Sequence, residues 1–305
     1  SADKAEDYAR RHGVPKWTAD ADTLIHDPEV DAVYIATPPG SHCHYALRVA
    51  AAGKPCYVEK PMARNAAECR RMIEAFKSAD LPLFVAYYRR GLPRFHEVKA
   101  IVESGELGSL SSLIYHFAVP NHKNLDPGHL PWRLVSEYSG GGRFLDMGSH
   151  ALDVFDYIFG PLQNVSGRAA NRASPYPEED VVHGRFTTPD GVPGSATWNF
   201  ASDQREDRIE IEGTHGKLSL SCFGNEPLLL QSGAETREIE RPNPETIQQP
   251  LIQTIVDALL GIGACPSTGE TALRTSEVMD TMLHDYYGGR ADRFWERPDS
   301  WPGGN

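Results

Sequence analysis

The chain has no apolar run approaching the roughly 20 residues a membrane helix requires, and its first residues, Ser1 to Gly13, are too polar for a secretion signal. It has no Lys/Arg run able to neutralise a row of phosphates, and 30 basic against 42 acidic side chains leave a net charge of −12. No nucleic acid and no membrane surface is therefore expected as a partner. Cysteine is scarce: the five residues Cys43, Cys56, Cys69, Cys222 and Cys265 are scattered and form no C-x-x-C pair. Such spacing predicts reduced, mostly buried thiols in a cytoplasmic protein. The only short metal-like spacing is His42-x-His44, which needs a further ligand at a matching distance to hold zinc, so no metal is expected. What remains is a folded chain of 305 residues with 40% hydrophobic and 24% charged side chains, long enough for two domains.

Residues 1–90 alternate helical periods with short continuous apolar runs, as in a parallel sheet buried on both faces. Helices are expected at Asp3 to Arg11, Asp20 to His26, Ser41 to Ala52 and Asn65 to Ser78, and strands at Ala32 to Ala36, Cys56 to Val58 and Leu83 to Ala86. This is a doubly wound α/β pattern, Rossmann-like but partial. Residues 91–290 read differently. Alternating strands at Leu110 to Val119, Val165 to Ala170, Val181 to Thr187, Gly194 to Phe200, Arg208 to Glu212, Lys217 to Ser221 and Leu228 to Leu230 predict an open, mostly antiparallel sheet. Helices at Pro93 to Ser104, Ser149 to Phe159, Glu245 to Leu260 and Gly269 to Tyr286 make it an α+β domain with helices on one face. Residues 291–305 read as a C-terminal tail, and the sheet's other face offers a surface for a homodimer or higher homo-oligomer.

Open α/β sheets bind ligands at the carboxyl ends of their strands, so the segments following each strand matter most. They are Thr37-Pro38-Pro39-Gly40-Ser41-His42, Glu59-Lys60-Pro61 and Tyr87-Tyr88-Arg89-Arg90. A Glu-Lys pair ending a buried strand is costly unless solvated or engaged by a ligand, although each segment alone reads equally well as a solvated loop. A fourth feature is the run from Gly140 to Gly142 leading into Asp146 and His150. If Asp146 starts a helix, His150 lies on the same face four residues on, and the two could share a pocket; alternatively Asp146 merely caps the helix.

Together these residues resemble the Gfo/Idh/MocA oxidoreductases. The resemblance rests on Asp31 to Pro38 with His42, Glu59-Lys60-Pro61, Val85 to Pro93 with Arg90, Gly105 to Gly108, Pro131-Trp132-Arg133, and the Gly-rich Asp146/His150 segment, in the family's order over nearly the whole chain. It implies NAD- or NADP-dependent hydride transfer on a sugar, cyclitol or related polyol. Lys60, Asp146 and His150 carry over as the catalytic set, with His150 as proton acceptor, Lys60 stabilising charge on the reacting oxygen, and Asp146 orienting the imidazole or binding a neighbouring hydroxyl. Thr37, Pro38, His42, Glu59, Lys60, Trp132 and Arg133 are implied to line the cofactor. Loops around His122, Lys123, His129 and Tyr176 are expected to set specificity.

The departure lies at the start, where the family's G-x-G-x-x-G turn and its flanking strands are not found, so a βαβ unit is expected to be missing from this chain by truncation. Gly261-Ile262-Gly263 does not replace it, because it follows a helix and meets Pro266. The competing function is a catalytically silent relative that binds a sugar or a protein partner.

Overall fold

The computed structural model describes residues 1–120, 125, 126 and 128–303. Its first part runs α1 (Ala2–His12), α2 (Ala21–Ile25), β1 (Val33–Ile35), α3 (His42–Ala51), β2 (Cys56–Val58), α4 (Ala66–Ser78) and β3 (Leu83–Val85). The helix starts follow local chemistry: the Asp20 carboxylate accepts from the amides of Asp22 and Thr23, and Asn65 Oδ1 accepts from Glu68 N at 2.9 Å. The three strands pair in parallel in the order β1-β2-β3, and β2 and β3 are buried along their whole length. β1 lies at the edge, with Val33 and Ile35 turned into the core and Tyr34 half exposed, stacked on Tyr57 at 4.6 Å between ring centroids.

The second part comprises α5 (Pro93–Ser104), β4 (Leu110–Pro120), α6 (Ser136–Ser139), α7 (Arg143–Phe159), β5 (Gln163–Ala170), β6 (Val181–Thr187), β7 (Pro193–Ser202), β8 (Glu206–Gly213), β9 (Lys217–Leu220), β10 (Leu228–Ser232), β11 (Glu235–Ile239), α8 (Gln249–Leu259) and α9 (Gly269–Tyr287). Eight strands form one sheet in the order β11-β10-β9-β8-β4-β7-β6-β5, antiparallel except for the β4–β7 pair. Alternation sends Leu113, Tyr115 and Phe117 of β4 inward, against Trp198 and Phe200 of β7 and Phe144 and Phe155 of α7. Against β5, α9 sits so close that a Cβ on Gly167 would lie 2.7 Å from Met282 Cα, which is why a side chain is absent there. No helix among the described residues is long and apolar enough to cross a membrane, and all five cysteines are free and buried.

Two expectations need correcting. First, α7 begins at Arg143 rather than Ser149. Its N-cap is Gly142, whose amide donates to the Glu179 carboxylate at 3.0 Å, a cap supplied from 37 residues away that local sequence does not reveal. Second, residues 291–303, the described part of the expected tail, are no loose tail. Phe294, Trp295 and Trp301 are buried around Tyr287, Trp301 Nε1 donates to the Phe294 carbonyl at 3.0 Å, and the Arg64 guanidinium lies 3.7 Å over the Trp295 ring. Packing also crosses the boundary expected near residue 90. The Ser267 hydroxyl donates to Val85 O at 2.7 Å, Phe84 pairs with Thr268, and Ala272 of α9 belongs to the core around β1 to β3.

Candidate active site

At the carboxyl end of β1 the Thr37 carbonyl accepts from His42 Nε2 at 2.6 Å. His42 Nδ1 lies 3.1 Å from the carbonyl oxygen of Pro61 and 3.2 Å from that of Met62. Burial lowers the pKa of this ring, while the three carbonyls pull it the other way. His42 is wholly buried with both nitrogens turned to backbone, so it ties the Thr37 turn to the loop after β2; it is neither a cofactor contact through its ring nor half of a His-x-His zinc pair. The hydroxyl of Thr37, by contrast, is buried with no partner. An orphaned hydroxyl at the carboxyl end of a parallel strand fits the oxygens of a dinucleotide, and together with Pro38 and Lys60 it forms the part of this chain suited to hold one.

β2 ends in Glu59 and Lys60. The Glu59 carboxylate accepts from Tyr34 Oη at 2.6 Å, from Gln248 Nε2 at 3.0 Å and from the Lys60 amide at 3.1 Å. Tyr57 Oη in turn donates to Gln248 Oε1 at 3.1 Å. Glu59 is thus a brace for the Lys60 backbone, and Gln248, which gave no signal in the sequence, is the brace's partner from the far half of the chain.

Lys60 Nζ donates to the Asp146 carboxylate and, at 3.1 Å, to the Asp146 carbonyl. Arg133 Nε lies 3.4 Å from the other carboxylate oxygen, and its guanidinium stacks 4.3 Å over Trp132. Asp146 sits in the first turn of α7 and His150 one turn on. The expected Asp146–His150 partnership is not what the structure contains: the carboxylate serves Lys60 and Arg133, and two cations outcompete a neutral ring for it. His150 is 5% exposed, its Nδ1 is buried without a partner, and its ring meets Tyr88 at 5.3 Å and Phe223 at 5.7 Å. Burial, reinforced by the Arg89 and Lys60 charges, holds its pKa well below the usual histidine value, so the ring is neutral at pH 7.

α7 is held in register from both sides. Arg90 Nη2 donates to Asp153 and Asp156 at 2.8 Å, its Nε donates to Asp153 at 2.9 Å, and Arg274 Nε donates to Asp156 at 2.6 Å. Burial raises the Asp153 pKa to about 6 against the pull of Arg90. At the N-terminal end, Glu179 accepts from Gly142 N and Tyr287 Oη, and Glu178 accepts from Ser136 N at 2.8 Å. The Glu178-Glu179-Asp180 run, three acids directly before the apolar Val181-Val182, was the available signal for this anchor. Of the expected specificity residues, His129 is exposed and paired with Asp126 at 2.8 Å, Tyr176 is buried, and His122 and Lys123 lie outside the described residues.

Comparison with known proteins finds the same two-part organisation. Residues 1–87 match the model of an oxidoreductase family with an NAD-binding Rossmann fold, and residues 95–219 match a GFO/IDH/MocA C-terminal domain. Oxidoreductase P35 of Formosa agariphila is 35% identical over 92% of this chain and 87% of its own length. The trans-1,2-dihydrobenzene-1,2-diol dehydrogenase of Bos taurus is 30% identical over 78% of this chain and 69% of its own. In fold, the chain is similar to a levoglucosan dehydrogenase solved with NADH and levoglucosan, with a TM-score of 0.83 at 22% identity, covering 93% of this chain and 85% of that one.

Proposed function

Because this chain belongs to the Gfo/Idh/MocA family and is an NAD(P)-dependent dehydrogenase acting on CH–OH groups, we propose that its substrate is a sugar, cyclitol or related polyol and that Lys60, Asp146 and His150 carry the reaction. The observation that carries this reading is the meeting of Lys60 Nζ with Asp146 at the end of β2, with His150 one helical turn further along α7. The nicotinamide cofactor supplies the hydride acceptor or donor. Everything else falls to side chains of this chain. His150, neutral at pH 7, takes the hydroxyl proton as the alcohol is oxidised and returns it in the reverse direction. Lys60 Nζ, positioned by Asp146 and by the Glu59 brace behind it, donates to the same oxygen and stabilises the charge that develops there. Asp146 sets the Lys60 ammonium rather than the imidazole, and Arg133 closes over it from the loop before α6. The dihydrodiol named for the bovine relative and the levoglucosan bound by the solved neighbour support a substrate with neighbouring hydroxyl or ring oxygens.

The experiment is a separate fluorescence titration of NADH and NADPH into the purified chain and into Lys60→Ala, followed by absorbance at the nicotinamide band with a panel of aldoses, cyclitols and diols. Cofactor reduction by at least one polyol, lost in Lys60→Ala, is the expected result. Cofactor binding without turnover of any polyol overturns the substrate assignment.

A further inference from the structure

Arg89 has the surroundings of a ligand anchor rather than of a structural cation. It is 4% exposed, and among the described residues its guanidinium enters no ion pair. Its Nε donates to the Cys222 carbonyl at 3.0 Å, whereas Nη1 is buried with no acceptor at all. The next residue shows the contrast, since Arg90 is saturated by Asp153 and Asp156. The Arg89 guanidinium lies 4.4 Å over the ring of Phe223 and 4.8 Å over that of Tyr88. These two rings also border His150, so the unpartnered Arg89 Nη1 and the unpartnered His150 Nδ1 occupy one aromatic enclosure.

The charge balance there is one-sided. Among the described residues, Lys60, Arg133 and Arg89 bring three cations to the site and Asp146 is the one carboxylate that pairs with any of them. In a chain whose net charge is −12 this local excess of positive charge runs against the composition. Phe223, over which the Arg89 guanidinium lies, and Met147, the neighbour of Asp146, are among the walls of a cavity of about 590 Å³, large enough for a sugar, which Arg89 borders through Phe223 rather than lines itself. Of that cavity's acids, Asp207 is spent on the amides of Cys222 and Phe223, Glu226 on the Ser221 hydroxyl and Glu206 on the Arg208 guanidinium. A buried guanidinium lacking an acceptor is a donor reserved for one, and the planar fork of arginine suits a carboxylate best.

We propose that Arg89 binds a carboxylate of the substrate, so that the preferred substrate of this dehydrogenase is an acidic sugar, a uronate or an aldonate, rather than a neutral polyol. The proposal rests on the polyol reading above and sharpens it. Its test is calorimetric binding of D-glucuronate and D-galacturonate against D-glucose and D-galactose, measured alongside cofactor reduction with the same four compounds. For the unmodified protein at least one acid is expected to bind about tenfold or more tightly than its neutral counterpart. Arg89→Gln is expected to erase that preference and Arg89→Lys to keep part of it, with circular dichroism reporting whether each variant folds. Equal affinity for acid and neutral sugar, no binding of either acid, or a preference that survives in a folded Arg89→Gln overturns the proposal. The comparison on the unmodified protein decides even if the variants do not fold. Turnover of neutral sugars with no preference for acids removes this inference and leaves the polyol reading intact; acid binding without cofactor reduction by any of the four compounds overturns both.

Discussion

The ammonium of Lys60, at the end of β2, meets the carboxylate of Asp146, in the first turn of α7, across 86 positions of sequence. The pair exists only because the two sheets are packed together, so it reports on chemistry and on assembly at once. Lys60→Ala is expected to lower kcat by about 100-fold to 1,000-fold, the loss typical of removing one donor to a developing oxyanion, with a smaller effect on Tm because Asp146 keeps Arg133 as a partner. Steady-state kinetics beside a melting curve separates the two; a kcat within a few-fold of the original removes Lys60 from the catalytic set.

The depressed pKa of His150 fixes the direction of the pH response. A base must be unprotonated, so the oxidative kcat/KM should stay flat down through the ordinary histidine range near pH 6.5 and fall only below it. The same shift acts on stability. A histidine whose folded pKa lies below its unfolded value contributes stability above about pH 6.5 and loses it as pH drops toward the folded value. His150→Asn should remove most of the activity and the acid limb together. An acid limb centred above pH 7 would contradict His150 as the base.

Glu178 titrates with the opposite sign. Burial raises its pKa from 4.5 to about 7, so the folded protein holds this proton more tightly than the unfolded chain does. Its contribution favours folding below pH 4.5 and is lost as pH rises through about 7. Glu178→Gln should flatten the dependence of unfolding free energy on pH between 5 and 7.5, and denaturant melts across that range provide the check. An unchanged slope in the variant would assign the dependence elsewhere, to Asp153 first.

Breaking the clamp behind α7 should be far costlier than any surface change. Arg90 and Asp153 are both almost fully buried, and removing one leaves the other's charge without its partner. Arg90→Ala is expected to destabilise the protein by about 3–5 kcal/mol. Arg274→Ala, which strips a partly exposed partner from Asp156, should cost clearly less. Chemical denaturation of the two variants side by side tests the order, and equal losses would show that the burial of the Arg90 pair is not what matters.

The sequence made the elements built from local signals legible. The apolar runs at Val33, Cys56 and Leu83, the helix starts at Asp20 and Asn65, and the alternation along β4 all fall where the local pattern puts them. Lys60 stood out at the end of a buried strand, and Asp146 and His150 as neighbours on one helix face; only the resemblance to the family joined the three into one set. What the sequence hid depends on partners far away in the chain. Asp146 turned from His150 to Lys60, His42 was absorbed by carbonyls at positions 37, 61 and 62, and Glu59 found Gln248. Phe294 and Trp301 looked like the end of a chain because nothing local announces the Tyr287 ring that they cover. Arg89 and Arg90 look identical as letters, and only the acids brought up by α7 tell one from the other.

α9 lies against β3 and α4 on one side and against β5, β6 and α7 on the other, with Ala272 in one core and Met282 and Leu283 in the second. It is a party wall between two rooms. Neither sheet can lose its packing without exposing the helix that the other leans on, so the protein should melt as one cooperative unit, with a single calorimetric peak. Nor can the cleft between them gape by swinging the sheets apart. Among the described residues, exchange of ligand is then expected at the segment around Trp132 and Arg133, which rests on Asp146 without being built into that wall.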